Sequence, residues 1–375
     1  MISLFLLFSI SYLALILVFI LGNLKLRKAK LMQKEIGVSV VIPFRNEERN
    51  LSFLIDALLK QTYPKEKVEF VFVNDHSSDE GFDLVKNKMS GSSFQLLSLN
   101  QQKGKKAALK MGIESAKNEL IITTDADCRM SRNWLKAMLS YYQPGDTHLL
   151  LGPVQFVREK GLWNRLLRTE FAALISTTSA AVGIKNAFMA NGANLLFNKS
   201  LFLSIDRDSL QHNVASGDDV FLLHAIKQKF GKKAKILFAA EPSAMVSTSA
   251  PKNLKDFISQ RIRWASKSKY YQDGFTKLVG LLIFLGNVNL LFALMLVVAA
   301  VLNIELFIIF FVLKWLVDSL LIFSSKAWNN QQLNLLDTFL LSLLYPLYII
   351  SIALLSLLFK PKWKGRKLDY FDSKQ

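Results

Sequence analysis

Two carboxylates able to bind a divalent metal follow an apolar stretch of the sequence. The stretch Leu120–Thr124 is followed directly by Asp125-Ala126-Asp127. Alternate residues leaving a strand point the same way, so the two carboxylates would share one direction. Oxygen ligands of this kind hold Mg²⁺ or Mn²⁺ and leave coordination positions free for phosphate oxygens. Acidic turns with this spacing are also common, so the interpretation depends on which residues lie nearby.

Polar residues also follow a second apolar stretch and a glycine. Asp75 comes after Val68–Val73, and Lys105 comes after Gly104. Asp75 could accept a hydrogen bond from a nucleobase N–H, and Lys105 could meet a diphosphate as a point charge. The alternatives are an Asx-turn or helix cap at Asp75 and a solvated loop at Lys105. Together with the paired aspartates, these residues predict a nucleotide-diphosphate site.

The elements that would position these residues alternate between strand and helix. Strands are predicted at Val38–Pro43, Val68–Val73, Phe94–Leu99, Leu120–Thr124 and near Leu149–Val154, and helices at Glu48–Gln61, after Asp79 to about Met89, at Lys105–Ala116 and around Trp134–Leu139. This alternation indicates an α/β fold with a doubly wound, mostly parallel sheet. In such sheets ligands bind at the carboxyl ends of the strands, where the polar residues cluster.

Several other classes of protein are excluded. No G-x-G-x-x-G follows the first strand, and no G-x-x-x-x-G-K-[ST] occurs, so neither dinucleotide-binding fingerprint nor P-loop is present. The single cysteine, Cys128, rules out an intramolecular disulfide and a cysteine zinc cluster. The net charge of +18 suggests nucleic-acid binding, but a chain that is 51% hydrophobic and lacks a recognition motif does not fit that function.

Charge and apolar residues are segregated along the chain. Residues 1–24 carry no charged side chain, and a basic cluster follows from Lys25. This pattern predicts an uncleaved transmembrane anchor with residue 25 onward in the cytosol. Residues 278–359 contain three further apolar runs, near Leu278–Leu302, Ile304–Phe323 and Leu336–Phe359. The basic tail, 360–375, carries +4, and the cytosolic domain, 25–277, carries +15.

One anchor plus three spans would place the basic tail outside, against the positive-inside rule. Pro346 can break a helix. We therefore expect two or three C-terminal membrane segments, one of them broken or re-entrant, and a cytosolic tail. Lys314 and Asp318 lie one helical turn apart within this block and are expected to form a neutralised pair facing protein or interface.

The ordered set of motifs resembles glycosyltransferase family 2, whose members have the GT-A fold. The resemblance covers roughly residues 38–270 and rests on VSVVIPFRNEE (38–48), VNDHSSD (73–79), KGKKAAL (103–109), TTDAD (123–127), SGDD (216–219) and QRIRW (260–264). It implies that Phe44, Asn46, Glu47 and Asp75 line the nucleotide pocket with Lys105 nearby. It also implies that Asp125 and Asp127 serve the nucleotide diphosphate and its Mg²⁺ or Mn²⁺. The chain departs from the family's Asp-Asp-Gly-Ser by having Asn74-Asp75-His76-Ser77.

The same resemblance suggests a catalytic base. Asp218-Asp219 matches the family's acidic pair, whose second residue takes the proton from the acceptor hydroxyl, so Asp219 is the predicted base. One base and one in-line displacement would invert the anomeric centre. The alternative is a helix N-cap, and both hold if Asp218 caps while Asp219 catalyses. Asn191-Gly192-Ala193-Asn194 resembles the loop just before the acceptor site.

The segment before the C-terminal apolar block fits the Q-x-x-R-W pattern of membrane-embedded members. Gln260, Arg261, Arg263 and Trp264, together with Asp218, are the predicted acceptor or diphosphate contacts, because Arg can clamp a diphosphate and Trp can stack on a sugar. The alternative is a basic interfacial helix at 254–272, and both roles are compatible. A second interfacial helix is expected near 160–182.

The function expected from this resemblance is an inverting, metal-dependent hexosyltransferase. It would move a sugar from a nucleotide donor, a UDP-sugar rather than a GDP-sugar, to a membrane lipid. The expected location is the bacterial inner (cell) membrane, with the catalytic domain in the cytosol and no nucleic-acid partner. A processive polysaccharide synthase, which shares Q-x-x-R-W, and a non-catalytic membrane scaffold are the alternatives.

Overall fold

The computed structural model describes residues 2–29, 35–205, 217–325, 328–329, 333–359, 362–363 and 366–367. The helices are α1 (Ile2–Leu24), α2 (Glu48–Leu59), α3 (Gly81–Lys88), α4 (Lys105–Ser115), α5 (Trp134–Tyr141), α6 (Leu162–Gly183), α7 (Lys199–Leu203), α8 (Asp218–Phe230), α9 (Leu254–Ala265), α10 (Gly274–Val298), α11 (Ile304–Ser324) and α12 (Leu335–Leu358). The strands are β1 (Val38–Phe44), β2 (Val68–Asn74), β3 (Phe94–Ser98), β4 (Leu120–Thr123), β5 (Arg129–Met130), β6 (Leu149–Leu151), β7 (Val154–Phe156), β8 (Leu195–Asn198), β9 (Ile236–Phe238), β10 (Val246–Thr248), β11 (Lys362–Trp363) and β12 (Arg366–Lys367).

The chain divides into two compact units. The sheet unit contains β1–β10 with α2–α5, α7 and α8, and the helical unit contains α1, α6 and α9–α12. Residues 158–188 and 250–277, which the sequence analysis included in one continuous cytosolic domain, group with the apolar helices instead. The sheet unit is therefore assembled from separated stretches of the chain.

The main sheet is mostly parallel, as predicted. Its seven strands run in the order β3-β2-β1-β4-β8-β6-β9. Parallel pairing joins β3, β2, β1 and β4, with Val38 opposite both Val68 and Leu120, while β8 is antiparallel to its neighbours β4 and β6. Every residue of β1 and β2 is buried, which explains their continuous apolar sequences. The carboxyl ends of β1, β2 and β4 consequently lie side by side.

The predicted fifth strand is wrong in one respect, because it forms two strands in different sheets. β6 belongs to the main sheet, whereas β7 joins a small sheet with β10 and β5. Gly152 and Pro153 separate them. A Cβ on Gly152 would lie 2.1 Å from the Asn194 side-chain nitrogen, and proline has no N–H to donate to a ladder. The chain therefore changes sheets at this dipeptide.

Helix α1 packs closely on α6 within the helical unit. A Cβ on Gly183 would lie 1.9 Å from the Gly22 carbonyl oxygen, so only glycine permits this approach. Beside it, the buried Asn23 side chain donates to Ser324 Oγ at 2.8 Å and accepts from Ser179 Oγ at 2.6 Å. These contacts tie α1 to α6 and α11 through small and polar residues.

The expected pairing of Lys314 with Asp318 is confirmed. Lys314 Nζ lies 2.7 Å from Asp318 Oδ2, and Tyr12 of α1 donates its hydroxyl to Asp318 Oδ1 at 2.8 Å. Lys314 is buried and also faces the rings of Tyr12 and Tyr345. The pair is thus enclosed by protein groups from α1, α11 and α12.

Four helices in the described part of the chain are long and apolar enough to cross a membrane: α1, α10, α11 and α12. The predicted break at Pro346 is wrong, since α12 runs without interruption from Leu335 to Leu358 with Pro346 inside it. Helix α10 ends at Val298, before the end of the apolar run at Leu302, and Ala300 in the connection to α11 adopts a positive φ of 54°. Most of the basic tail lies outside the described residues.

Candidate active site

The loops after β1 and β2 are held together at the carboxyl edge of the sheet. Asn46 adopts a positive φ of 50°, which places its backbone N–H 3.1 Å from Ser77 Oγ. Its side-chain oxygen accepts the Ser78 N–H at 2.8 Å. Asn tolerates this left-handed conformation better than most residues. These contacts fix two of the loops that carry predicted nucleotide-binding residues.

Phe44 and Asp75 lie at the carboxyl ends of neighbouring strands. Phe44 is the last residue of β1, and Asp75 follows β2 with its N–H donating to the Phe44 carbonyl at 2.9 Å. Asp75 is only 1% exposed. The Asx-turn considered for Asp75 is formed by Asn74 instead, whose side chain accepts the Ser77 N–H at 2.9 Å. The position of Asp75 is therefore compatible with its predicted role in binding the nucleotide.

Glu47, the residue just before α2, follows β1 at the carboxyl edge of the sheet. Asp79 accepts the Glu48 N–H at 2.9 Å through Oδ2 and the Gly81 N–H at 3.2 Å through Oδ1, so its carboxylate meets the first residues of both α2 and α3. Glu47 precedes α2 and accepts from Asn50 at 2.6 Å. Its charge also acts on Asp127, which places Glu47 near the predicted metal-binding pair.

Lys105 lies among the acidic residues of the site. It is the first residue of α4, directly after Gly104 with a positive φ of 103°, and its ammonium contacts Asp125 Oδ1. Burial lowers the pKa of Lys105, but the carboxylates of Asp125, Asp219 and Asp218 raise it by more. The pKa of Lys105 is therefore above its usual value. The loop after β4 and the start of α8 therefore converge on one lysine.

Asp127 has a different environment from Asp125. Its Oδ2 accepts a hydrogen bond of 2.7 Å from Thr248 Oγ1 at the end of β10. Burial raises the pKa of Asp127, and the charges of Asp125 and Glu47 raise it further, while the Thr248 hydrogen bond and Lys105 lower it. The two carboxylates of the D-x-D sequence are thus held by residues from separate elements.

The predicted base, Asp219, is held by two backbone donors. Its Oδ2 accepts the Gly192 N–H at 3.0 Å and its Oδ1 accepts the Val220 N–H at 2.8 Å. The predicted capping role of Asp218 is wrong, because the N-cap position of α8 is Gly217 and Asp218 is the first helical residue. Asp218 Oδ1 instead lies 3.5 Å from Lys106 Nζ.

The residues present fit a divalent metal. Asp125 and Asp127 provide the oxygen ligands that Mg²⁺ and Mn²⁺ prefer, and the Lys105 ammonium already places a positive charge against Asp125. Among the described residues, no group of three or more His, Cys, Asp or Glu side chains forms a complete metal cage. The remaining ligands would therefore come from phosphate oxygens and water.

The Q-x-x-R-W residues lie on α9, in the helical unit. Arg261 is 2% exposed and forms an ion pair with Glu170 of α6, and its guanidinium also faces the rings of Phe257 and Trp264 at 4.9 and 4.2 Å. Tyr348 of α12 donates to the same carboxylate at 3.4 Å. Gln260 and Arg263 lie on the same helix. The Glu170 carboxylate thus joins three helices, α6, α9 and α12.

Some residues of the site were missed by sequence reasoning. Thr123 and Lys106 lie within motifs that the sequence highlights, but nothing in their type indicated that they contact Gly192 and Asp218. Thr248 is separated from Asp127 by 121 positions, and no motif marks it. Only the pairing of β10 within the small sheet brings it to the site.

Comparison with known proteins gives concordant results. Residues 39–205 match the family model "Glycosyl transferase family 2". Glycosyltransferase AglE of Haloferax volcanii is 32% identical over 126 residues, covering 33% of this chain and 41% of that protein. The poly-beta-1,6-N-acetyl-D-glucosamine synthase of Staphylococcus aureus is 24% identical over 235 residues, covering 61% of this chain and 54% of that enzyme. The chain therefore spans about half the length, or less, of these curated relatives.

A solved structure resembles nearly the whole chain. The mannosyltransferase PcManGT from Pyrobaculum calidifontis, in complex with GDP-Man and Mn²⁺, superposes with a TM-score of 0.57 at 16% sequence identity. The match covers 95% of this chain and 98% of that one. At this identity the likeness concerns the fold, and it agrees with the mostly parallel sheet and apolar helices described above. Residues 39–205 therefore resemble glycosyl transferase family 2, and the chain has the GT-A fold.

Proposed function

We propose that this protein is an inverting glycosyltransferase that moves one sugar from a nucleotide-diphosphate donor to a membrane lipid. The observation that carries the proposal is the charged cluster at the start of α4, where Lys105 contacts Asp125 and the negative charges of Asp219 and Asp218 also act on Lys105. A carboxylate suited to the leaving diphosphate and a carboxylate suited to proton removal thus belong to one charged cluster. An in-line displacement needs these two functions on opposite sides of one anomeric carbon.

Asp219 acts as the base in this proposal. Its carboxylate accepts the proton of the acceptor hydroxyl while that oxygen forms a bond to the anomeric carbon. The bond from the anomeric carbon to the diphosphate oxygen breaks, and its electron pair leaves with the nucleoside diphosphate. A single displacement of this kind inverts the configuration. The backbone donors from Gly192 and Val220 orient the carboxylate for this role.

The donor site is formed at the ends of β1, β2 and β4. Phe44, Asn46, Glu47 and Asp75 are proposed to bind the nucleoside, with a UDP-sugar as the preferred donor. Asp125 and Asp127 are proposed to hold Mg²⁺ or Mn²⁺, which when bound neutralises charge on the leaving diphosphate. Lys105 supplies a second positive charge next to Asp125. The structurally similar mannosyltransferase is in complex with Mn²⁺, which supports the proposal of a divalent metal.

A lipid acceptor is supported by the four apolar helices. Gln260, Arg263 and Trp264 of the Q-x-x-R-W motif on α9 are proposed as acceptor or diphosphate contacts. The proposed location is a cell membrane, with the catalytic residues on the cytosolic side.

A processive polysaccharide synthase is the second candidate. The observation that favours it is the 235-residue match to the staphylococcal poly-N-acetylglucosamine synthase. The two candidates differ in their product, because a synthase releases a long polar polymer and a lipid transferase leaves one sugar on an apolar molecule.

The test is to incubate membranes containing the protein with a panel of labelled nucleotide sugars and divalent metals. We expect label from one donor to enter the organic phase. Asp219→Asn should lower the rate by at least about 10²-fold, the usual contribution of a general base. Asp83→Asn, at an exposed aspartate of α3, is the matched control and should retain activity. Label in long aqueous polymer would favour the synthase, and absence of both turnover and donor binding would favour a scaffold.

A further inference from the structure

Thr123 is linked to the proposed base through one glycine. Thr123 is the last residue of β4, is 4% exposed, and donates its hydroxyl to the Gly192 carbonyl at 2.9 Å. The N–H of the same glycine donates to Asp219 Oδ2 at 3.0 Å. Gly192 is therefore held on one side by the central sheet and contacts the carboxylate of α8 on the other.

Gly192 depends on these hydrogen bonds for its position. Glycine is the least restricted residue in backbone conformation. A Cβ at this position would find its nearest neighbour, Asp219, only at 3.7 Å, so packing does not hold the residue tightly. The end of the loop is fixed, because Asn194 is fully buried and donates to the carbonyls of Pro153 and Ala244 at 2.9 and 2.8 Å. Gly192 thus connects that fixed end to Asp219 through its own hydrogen bonds.

We infer that Thr123 is a positioning residue for the transfer reaction, holding Gly192 so that its N–H orients the Asp219 carboxylate. This inference rests on the proposed function, in which Asp219 is the base. In this inference Thr123 acts through the glycine rather than on the donor or the acceptor. Its hydroxyl has no other hydrogen bond in the described part of the structure.

The position of Thr123 in the chain also relates the proposed base to the carboxylate proposed for the diphosphate. Asp125 follows Thr123 by two residues, so one strand end carries both the link to the base and the carboxylate proposed for the diphosphate. Displacement rates depend strongly on sub-ångström placement of the reacting groups. A shared anchor at the end of β4 keeps the distance between base and leaving group constant when the loops around them move.

The kinetic test replaces the hydroxyl while keeping the shape of the side chain. Thr123→Val should lower kcat about five- to tenfold, the effect of one lost hydrogen bond, with the donor KM changed less than about twofold. Thr123→Ser keeps the hydroxyl and should restore most of the kcat. Thr147→Val is the matched control, because Thr147 is also buried and its hydroxyl accepts the Gln143 N–H at 2.9 Å away from the site. It should leave kcat unchanged.

A second measurement does not depend on turnover. Thr123→Val should lower the thermal unfolding midpoint more in the wild-type chain than in an Asp219→Ala background, because the two residues share Gly192. Equal shifts in both backgrounds, or a Thr123→Ser variant as slow as Thr123→Val, would overturn the inference. If the wild-type chain turns over no donor, the proposed function fails, and the unfolding cycle alone decides whether Thr123 is coupled to Asp219.

Discussion

The ammonium group of Lys105 lies among more negative charge than one lysine can neutralise. Asp125 contacts it, the charges of Asp218 and Asp219 act on it, and Asp127 adds a further carboxylate beside Asp125. A nucleotide diphosphate would bring additional negative charge to this place. Since like charges at such short range repel strongly, binding needs another cation. This electrostatic balance is the physical reason for proposing a metal at Asp125 and Asp127.

Thr248 offers a test of the metal proposal at the level of one hydrogen bond. Its hydroxyl holds Asp127 Oδ2 at 2.7 Å. Partners that orient a metal ligand typically contribute 10–100-fold to metal affinity. We expect Thr248→Val to weaken Mn²⁺ activation of donor binding at least about tenfold, measured by titrating Mn²⁺ at fixed nucleotide.

The control for this change is the neighbouring residue of the same strand. Ser247 accepts a hydrogen bond from Gln155 at 2.9 Å, and adjacent residues of a strand face opposite sides. Ser247→Ala removes a hydroxyl from β10 without touching Asp127. Equal Mn²⁺ affinities for Thr248→Val and Ser247→Ala would contradict a role for Thr248 in holding the metal ligand.

Helix α9 shows how two arginines in one motif take different environments. Arg261 lies in a buried ion pair with Glu170, whereas Arg263, two residues later, is only partly buried. Sequence reasoning grouped both as acceptor or diphosphate contacts. The buried pair indicates that Arg261 stabilises the packing of α9 on α6, which leaves Arg263 as the better candidate for binding.

The two arginines can be separated by stability and activity. Removing one partner of a buried ion pair typically costs about 3–5 kcal/mol, because the other charge is left uncompensated. Arg261→Leu should therefore lower the thermal unfolding midpoint in detergent much more than Arg263→Leu does. The double variant Glu170→Leu with Arg261→Leu should recover much of the loss. If Arg263→Leu is the more destabilising change, this assignment of the two roles is wrong.

The strand ends explain why much of the site could be predicted from sequence. Asp75, Asp125 and Asp127 directly follow buried apolar strands, and parallel pairing of β1 with β2 and β4 necessarily brings those ends together. Thr248 and the Glu170–Arg261 pair could not be predicted in this way. Each depends on segments far apart in the chain, and neither a threonine nor a glutamate at those positions has a distinctive pattern.

Pro346 does not break α12, contrary to the expectation from its residue type. A proline inside a helix removes one backbone hydrogen bond and usually bends or breaks the helix in water. Proline is better tolerated in helices surrounded by other apolar helices. α12 continues through Pro346, and the Arg165 side chain of α6 binds Asp337 near its start at 2.6 Å. The continuous helix removes the helix-break argument for a re-entrant segment, and the positive-inside argument from the basic tail stays.

Across the whole molecule, an uninterrupted α12 changes the expected membrane topology. We propose that all four helices cross the membrane, which puts the residues before α1 and after α12 on one side and the residues between α1 and α10 on the other. In this proposal the +15 charge of residues 25–277 lies on the cytosolic side, and the smaller +4 charge of the tail lies on the opposite side. The strongly basic flanks of α1 and α10 would determine the orientation, and the tail would follow from the number of spans.

This topology can be tested by thiol labelling in intact cells. Cys128 is the only cysteine of the chain and is buried, and burial raises the pKa of its thiol well above the usual value, so it should not react. We expect a membrane-impermeant maleimide to label Ser373→Cys in intact cells and to label Ser90→Cys, at an exposed position of the sheet unit, only after permeabilisation. Labelling of both positions only after permeabilisation would show that α12 does not cross the membrane. In that case the tail is cytosolic, and its basic charge rather than the number of apolar helices determines its side.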